Sequence, residues 1–378
     1  MDAGVETGIR TIAASGGVGP TMSDRHLRPR RIEFRFLSAM SAVALLAFAP
    51  NQARADEGGV GMYLPGSFGS LAAVPGVPGW AVSTIYYHTS VSAAGNVAAA
   101  RQATIGRFNS TVNINLNATL DARSDLDFLG AAYTFASPVL GGQLTLSMLG
   151  GFGRTDASIA GTLTASVGPL SVTRSGVIDD ARWGIADLFP QAMLKWNSGV
   201  NNYMVYMMGN IPVGTYDPSR LANFGLGHGA IDGGGGYTYF NPKTGWEFSA
   251  VAGMTYNFEN TNTDYRNGVD FHVDYAASKF LSKQLHVGLV GYYYQQLTAD
   301  SGQPLILGDF KSRIAGIGPQ IGYLFPVGDM QGYVNLKGYG EFAAQNRADG
   351  WNLWLTFALS PKAPEPATPA PRRPMVYK

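Results

Sequence analysis

From residue 269 to 297 the chain alternates apolar and polar side chains with a period of two, over arms longer than a water-soluble strand needs. In the first arm Val269, Phe271, Val273, Tyr275 and Ala277 share one parity; Asp270, His272, Asp274, Ala276 and Ser278 share the other. After a short turn at 281–284, Leu285, Val287, Leu289, Tyr293 and Leu297 oppose His286, Tyr292, Tyr294 and Gln296. Such a period marks a strand with one apolar and one polar face. Each arm runs to about ten residues, where soluble strands average about five or six and a tilted membrane crossing needs about nine to eleven. The hairpin therefore predicts strands that cross a bilayer.

Composition narrows the alternatives. Only 14% of residues are charged, against about 25% in an ordinary soluble domain. No apolar run reaches the length of about 18 residues expected of a spanning helix, and a closed barrel is the other structure that satisfies its backbone in lipid. Cysteine is absent, which removes disulfides, thiolate catalysis and Cys-ligated metals.

The N-terminal region reads as an export signal. Arg25, Arg28, Arg30, Arg31 and Arg35 precede an apolar stretch from Phe36 to Ala49, and Ala53-Arg54-Ala55 has the small-x-small form of a cleavage site. Met22 fits as a start, so that residues 1–55 divide into an upstream extension and a signal peptide. Removing them leaves 20 basic and 22 acidic residues, a net charge of −2. That balance offers no basic surface for nucleic acid.

Residues 56–79 are rich in Gly and Pro, and Pro removes ladder donors, so no regular strand fits there. Two readings stand: a periplasmic lead, or a plug that buries Met62, Tyr63, Leu64, Phe68 and Leu71 inside a barrel. The barrel itself is expected over 80–360, in strands at 80–91, 126–136, 143–154, 183–196, 203–213, 231–240, 246–259, 269–278, 285–297, 311–325, 332–344 and 351–359. Short and long connections alternate along them, as periplasmic turns and outer loops do in outer-membrane barrels. The expectation is an all-β, antiparallel transmembrane β-barrel of about 12 strands, with 14 as the alternative. The segment 111–120 also alternates, and is placed in an outer excursion because a further crossing would make the count odd. Residues 361–378 form a Pro-rich tail, expected to be disordered.

Several stretches resemble a known family. Residues 80–92, the run 221–240 (LANFGLGHGAIDGGGGYTYF), Asp264-Tyr265-Arg266-Asn267-Gly268, residues 287–292 with Gln295 and Gln296, and Gly318-Pro319-Gln320 are similar to the bacterial phenol meta-pathway (MetA-type) outer-membrane family. The resemblance implies a β-barrel transporter in the outer membrane of a Gram-negative cell, whose partners are outer-membrane lipid and a small hydrophobic or aromatic solute. It also implies assembly by the outer-membrane insertion machinery. Here Phe357 is followed by the Pro-rich tail, so the strand 351–359 would have to act as an internal signal.

If the apolar parity faces lipid, Glu247, Glu259, Asp270, His272, Asp274, His286, Lys337 and Glu341 face the lumen, while the direction of Arg313 is open. By default these form a solvated or salt-bridged interior. The sharper reading is a ligand path in which Tyr206, Tyr292 and Tyr294 supply amphipathic faces, and Asp270, His272 and Asp274 bind a hydroxyl or pair with Lys337. Trp183, Trp196, Trp246 and Trp351 fall near strand ends, as interface girdles do. Asp187 and Pro190 interrupt an apolar strand, so a bulge or a lateral opening is expected there.

Enzymatic readings are weak. No Gly-x-Ser-x-Gly elbow occurs, and the five His (26, 88, 228, 272, 286) show no ligand spacing. The glycines at 225–229 and 233–236 have no helix after them, so no phosphate or dinucleotide loop is read. No catalytic residue, cofactor or metal is expected. A structural or adhesive barrel with ligand-binding outer loops is the alternative to a channel.

Overall fold

A computed structural model describes residues 61–97, 113–302 and 311–363. The signal-peptide reading and most of the Pro-rich tail lie outside the described residues.

Among the described residues fifteen strands follow in order: β1 (Gly79–Val97), β2 (Asn113–Thr134), β3 (Gln143–Val167), β4 (Leu170–Ile185), β5 (Phe189–Ser198), β6 (Asn201–Asn210), β7 (Ala230–Asn241), β8 (Trp246–Asn257), β9 (Tyr265–Arg266), β10 (Asp270–Phe280), β11 (Leu285–Gln296), β12 (Ser301–Gly302), β13 (Arg313–Val327), β14 (Met330–Gln345) and β15 (Asp349–Pro361). Antiparallel pairing runs β1-β2-β3-β5-β6-β7-β8-β10-β11-β13-β14-β15 and returns to β1, closing a barrel of twelve strands. Closure leaves the twelve-strand barrel without an edge, which is what lipid demands of a sheet. β9 and β12 form a two-residue ladder apart from the barrel.

Strand β4 is extra. It pairs with the outer half of β3, from Phe152 to Val167, while β5 pairs with the inner half, from Gln143 to Leu149. The expected strand 183–196 is therefore two elements, broken at 186–188. The outward parity changes across the break, from odd at Trp183 and Ile185 to even at Pro190, Ala192 and Leu194, so no single period runs through 183–196. The alternating segment placed beyond the membrane is, over its described part 113–120, the outer continuation of β2. Residues 155–180, which lie between two of the expected strands, form most of the β3–β4 hairpin. Twelve crossings stand, and fourteen do not.

Polarity is inverted relative to a soluble fold. Along β8 the burial alternates strictly: Trp246, Phe248, Met254 and Tyr256 point out, while Glu247, Ser249, Thr255 and Asn257 are buried. β10 does the same with Asp270, His272, Asp274 and Ser278 inside. Glu259 departs from its expected place: it lies exposed just beyond the end of β8, where the alternation stops. Arg313 sits at a register shift between Arg313 and Ala315, which is why its parity gave no direction. Trp80 and Trp246 mark one rim of the outer surface, and Trp183 and Trp351 the other.

Candidate functional site

Residues 61–78 lie inside the barrel. Pro65, Pro75 and Pro78 forbid a ladder, so the backbone groups of this tongue need partners of another kind. Two tight turns meet a few of them, Ser67 N to Leu64 O at 3.2 Å and Val74 N to Leu71 O at 3.0 Å. The inward side chains of the wall meet many of the rest.

Asp274 is the principal acceptor. Its carboxylate takes the Tyr63 hydroxyl at 2.6 Å, the Gly66 amide at 3.0 Å and the Phe68 amide at 2.8 Å. Opposite it, Lys337 donates to Gly66 O at 2.6 Å and to Phe68 O at 3.5 Å, and Tyr339 donates to Gly66 O at 3.4 Å. Gly66 is thus gripped from both sides, N–H by the acid and C=O by the base. Its φ of +90° and the Tyr339 ring, about 3.0 Å from where a Cβ would stand, leave room for glycine alone. Nearer the periplasmic end Leu71 N donates to Glu247 Oε1 at 2.9 Å, Ala73 N to Thr238 Oγ1 at 3.0 Å, and Lys195 Nζ to Val74 O at 3.4 Å. Gln320 donates to both Ser70 and Ser278, at 2.7 and 2.8 Å.

The apolar side chains of the tongue pack as well. The Tyr63 ring stacks on His272 with centroids 3.4 Å apart, and Phe68 meets Tyr206 at 5.1 Å. Leu64 lies against the cluster of Ala276, Val290, Tyr292, Tyr294, Ile314, Tyr339 and Trp354. His272 is held from behind by Asp232 at 2.9 Å, with Tyr206 at 3.3 Å, and Thr255 donates to the same Asp232 oxygen at 2.6 Å. Gly253 makes this possible: a Cβ there would meet Tyr206 Oη at 2.1 Å and His272 Nε2 at 2.8 Å.

Of the remaining lumen candidates, Tyr292 and Tyr294 belong to the cluster that Leu64 packs against, while the charged ones have partners on the wall. Tyr292 donates to Glu341 at 2.6 Å and accepts from Asn352 at 3.0 Å, near the outer end. Glu341 also accepts from Gly350 N at 3.0 Å. Tyr294 stands 3.2 Å from a Cβ position on Gly61, with the Arg347 guanidinium 4.8 Å over its ring. Asp270 accepts from Asn257 at 2.9 Å, and His286 lies toward the periplasmic end, 3.2 Å from the Tyr333 hydroxyl.

The wall changes character at Asp187. β6 ends at Asn210, so the edge of β4 that faces away from β3 has no strand beside it among the described residues. The loop after β6 lies there instead. Thr215 exchanges bonds with Ile185, N to O at 2.8 Å and Oγ1 from N at 3.0 Å. Asp187 accepts from Gly214 N at 2.7 Å and Leu226 N at 3.0 Å. Higher up, Asp180 accepts from Ala222 N at 2.9 Å and from the Arg220 guanidinium. That guanidinium holds the Asp180 carboxyl down at about 2. Pro190 sits in β5 opposite Met148 of β3.

Residues 94–357 match the family described as the MetA pathway of phenol degradation. The chain belongs to that family. A solved structure of the COG4313 outer membrane channel from Pseudomonas putida F1 is similar at 14% identity and a TM-score of 0.53, over 79% of this chain and 100% of that one. A Pseudomonas aeruginosa FadL homologue matches at 9% identity and a TM-score of 0.35, over 74% of this chain and 89% of that one. No curated protein matches. At this identity the first of these structures establishes the fold, that of a bacterial outer-membrane barrel.

For this member of the MetA-pathway family, parity alone gives the inward face but not what that face holds. Asp232, Thr238, Ser278, Gln320 and Tyr339 were missed as partners. Asp232 shares the inward parity of β7 with Thr238, a signal obscured by the glycines between them.

Proposed function

We propose that this chain is an outer-membrane channel for passive uptake of small hydrophobic or aromatic compounds linked to their catabolism. In this reading residues 61–78 act as its plug, and the wall at Asp187 and Pro190 is the side exit. The observation that carries the reading is the tongue. Its hold on the lumen rests on hydrogen bonds and aromatic stacking, which can be exchanged for water or solute without breaking a ladder bond. The strand break supports the exit, because between β4 and β6 the wall is a loop held by side-chain and backbone contacts in place of a strand pair. An apolar solute leaving there would enter the bilayer without crossing the polar lumen. The strand 351–359 would serve the insertion machinery as an internal signal.

The test is initial uptake of a radiolabelled aromatic acid, an alkane and a small sugar by a deletion strain and by the complemented strain. Selective loss of one hydrophobic class, restored by the gene, supports transport. Unchanged uptake of all three, in a strain without other porins for them, would favour a structural or adhesive barrel.

A further inference from the structure

Every hydrogen bond that Asp274 accepts among the described residues comes from the tongue, from the Tyr63 hydroxyl and the amides of Gly66 and Phe68. No described side chain of the wall donates to it. β11 sets Tyr292 directly beside Asp274, but the Tyr292 hydroxyl is given to Glu341 at 2.6 Å. Lys337 is given to the carbonyls of Gly66 and Phe68. A buried carboxylate that is fixed on a strand, yet satisfied only by a segment outside every barrel ladder, is an acceptor open to whatever stands in the lumen.

Beside that carboxylate the wall presents one flat face. The Tyr63 ring lies on the His272 imidazole with centroids 3.4 Å apart and planes 13° from parallel, so the two faces overlap almost fully. The imidazole is fixed by the wall alone. Asp232 holds its Nε2 at 2.9 Å, Thr255 donates to the same Asp232 oxygen at 2.6 Å, and Gly253 leaves the space that His272 and Tyr206 share. Tyr294 stands next to His272 across the β10–β11 pair. None of this frame is supplied by the tongue, so it persists when Tyr63 leaves it.

We propose that Tyr63 is a resident competitor for a phenol seat made by His272 and Asp274, and that a free phenol entering the lumen displaces it and loosens the tongue. The class of ligand follows from the occupant. A single aromatic ring with one hydroxyl donor meets both the imidazole face and the carboxylate, whereas an apolar ring of the same size leaves Asp274 short of a donor. In the plug reading, on which this rests, the phenol is the solute that works the plug. With Tyr63 displaced, the hold on the tongue loses one stack and one hydrogen bond to a carboxylate, while Lys337 keeps its bonds to the Gly66 and Phe68 carbonyls.

Binding of 4-methylphenol, the tyrosine side chain as a free molecule, tests the seat in purified full-length protein, by equilibrium dialysis against protein-free micelles. Tyr63→Ala empties the seat and should bind 4-methylphenol about tenfold more tightly than the wild type, because a resident occupant lowers apparent affinity by the fraction of sites left open. In that variant toluene, the same ring without the hydroxyl, should bind about tenfold more weakly than 4-methylphenol. Adding Asp274→Leu should erase the preference. In the wild type, 4-methylphenol should raise hydrogen exchange at the Gly66 and Phe68 amides, and toluene should not. Heat-modifiable gel migration reports folding, and if the double variant does not fold, the Tyr63→Ala comparison still decides. Equal affinity of wild type and Tyr63→Ala, or equal affinity of that variant for the two rings, would overturn the seat and leave Tyr63 an anchor. Exchange that does not respond to 4-methylphenol would overturn the displacement. Dialysis asks nothing of transport, so the two readings fail separately: a phenol bound here but not taken up by cells would sink the channel reading alone, and uptake without binding would sink the seat alone.

Discussion

Val273 and Asp274 are neighbours in sequence and belong to different solvents. Val273 stands in β10 beside Tyr293 and Ala252 on the outward face; Asp274 is buried in the lumen with three donors from the tongue. Val273→Asp should lower barrel stability clearly, by less than the roughly 2–4 kcal/mol typical of Arg or Lys at the bilayer midplane. Asp274→Asn should leave the barrel's unfolding transition nearly unchanged, since no ladder bond involves its side chain, yet should loosen the tongue. Chemical denaturation in detergent measures both, and equal damage would reverse the inside and outside assignment. Which face each residue takes was legible, because a period of two needs only adjacent letters. What Asp274 holds was not: its partners lie 206 to 211 residues away, and no local pattern encodes that meeting. The same limit applies to Lys337, expected beside an acid and found on the carbonyl of Gly66.

At the scale of elements, the instructive case is the loop from Ile211 to Gly229. The sequence offered an uninterrupted strand over 183–196 with a proline in it, and either a bulge or an opening fitted. The structure puts a strand end there and lays the loop along it, with the carboxylates of Asp187 and Asp180 fastening it beside the Thr215–Ile185 bonds. Asp187 could be flagged from its position, but Asp180 and Arg220 could not, since one lies in an outer strand and the other in a loop 40 residues on. Asp180 lies outside the membrane-spanning part, and its carboxyl is held at about 2 by the guanidinium of Arg220. A group whose folded pKa lies below its unfolded value of about 3.9 stabilises above that unfolded value, and the contribution fades as pH falls through the folded one. The fastening should therefore be intact at neutral pH and lost between about pH 4 and pH 2. Hydrogen exchange of residues 214–226 should rise over that interval in the wild type. In Arg220→Ala it should already be raised at pH 6. Exchange that is independent of both pH and the substitution would mean that Asp187 and the Thr215–Ile185 bonds fasten the loop without Asp180.

At the scale of the whole molecule, wall and tongue are separate structures with separate sources of stability. The wall closes through twelve ladders, and none of them includes residues 61–78. The tongue contributes no strand and borrows its partners from the wall. A chain lacking residues 61–78 should thus still fold as a barrel, with water replacing the tongue at Asp274, Lys337 and Glu247, and should conduct more than the intact chain. Asp274→Ala approaches the same state by a smaller step. It strands the Tyr63 hydroxyl and two amides, at about 1–3 kcal/mol for each buried donor left unpaired. Every 1.4 kcal/mol lost from the hold raises the unplugged fraction about tenfold. Liposome swelling with a graded series of small sugars reads that fraction directly, and the order expected is deletion above Asp274→Ala above wild type. Tongue-free barrels that fold and still do not swell would place the barrier in the wall itself, and the plug reading would fall while the barrel remained.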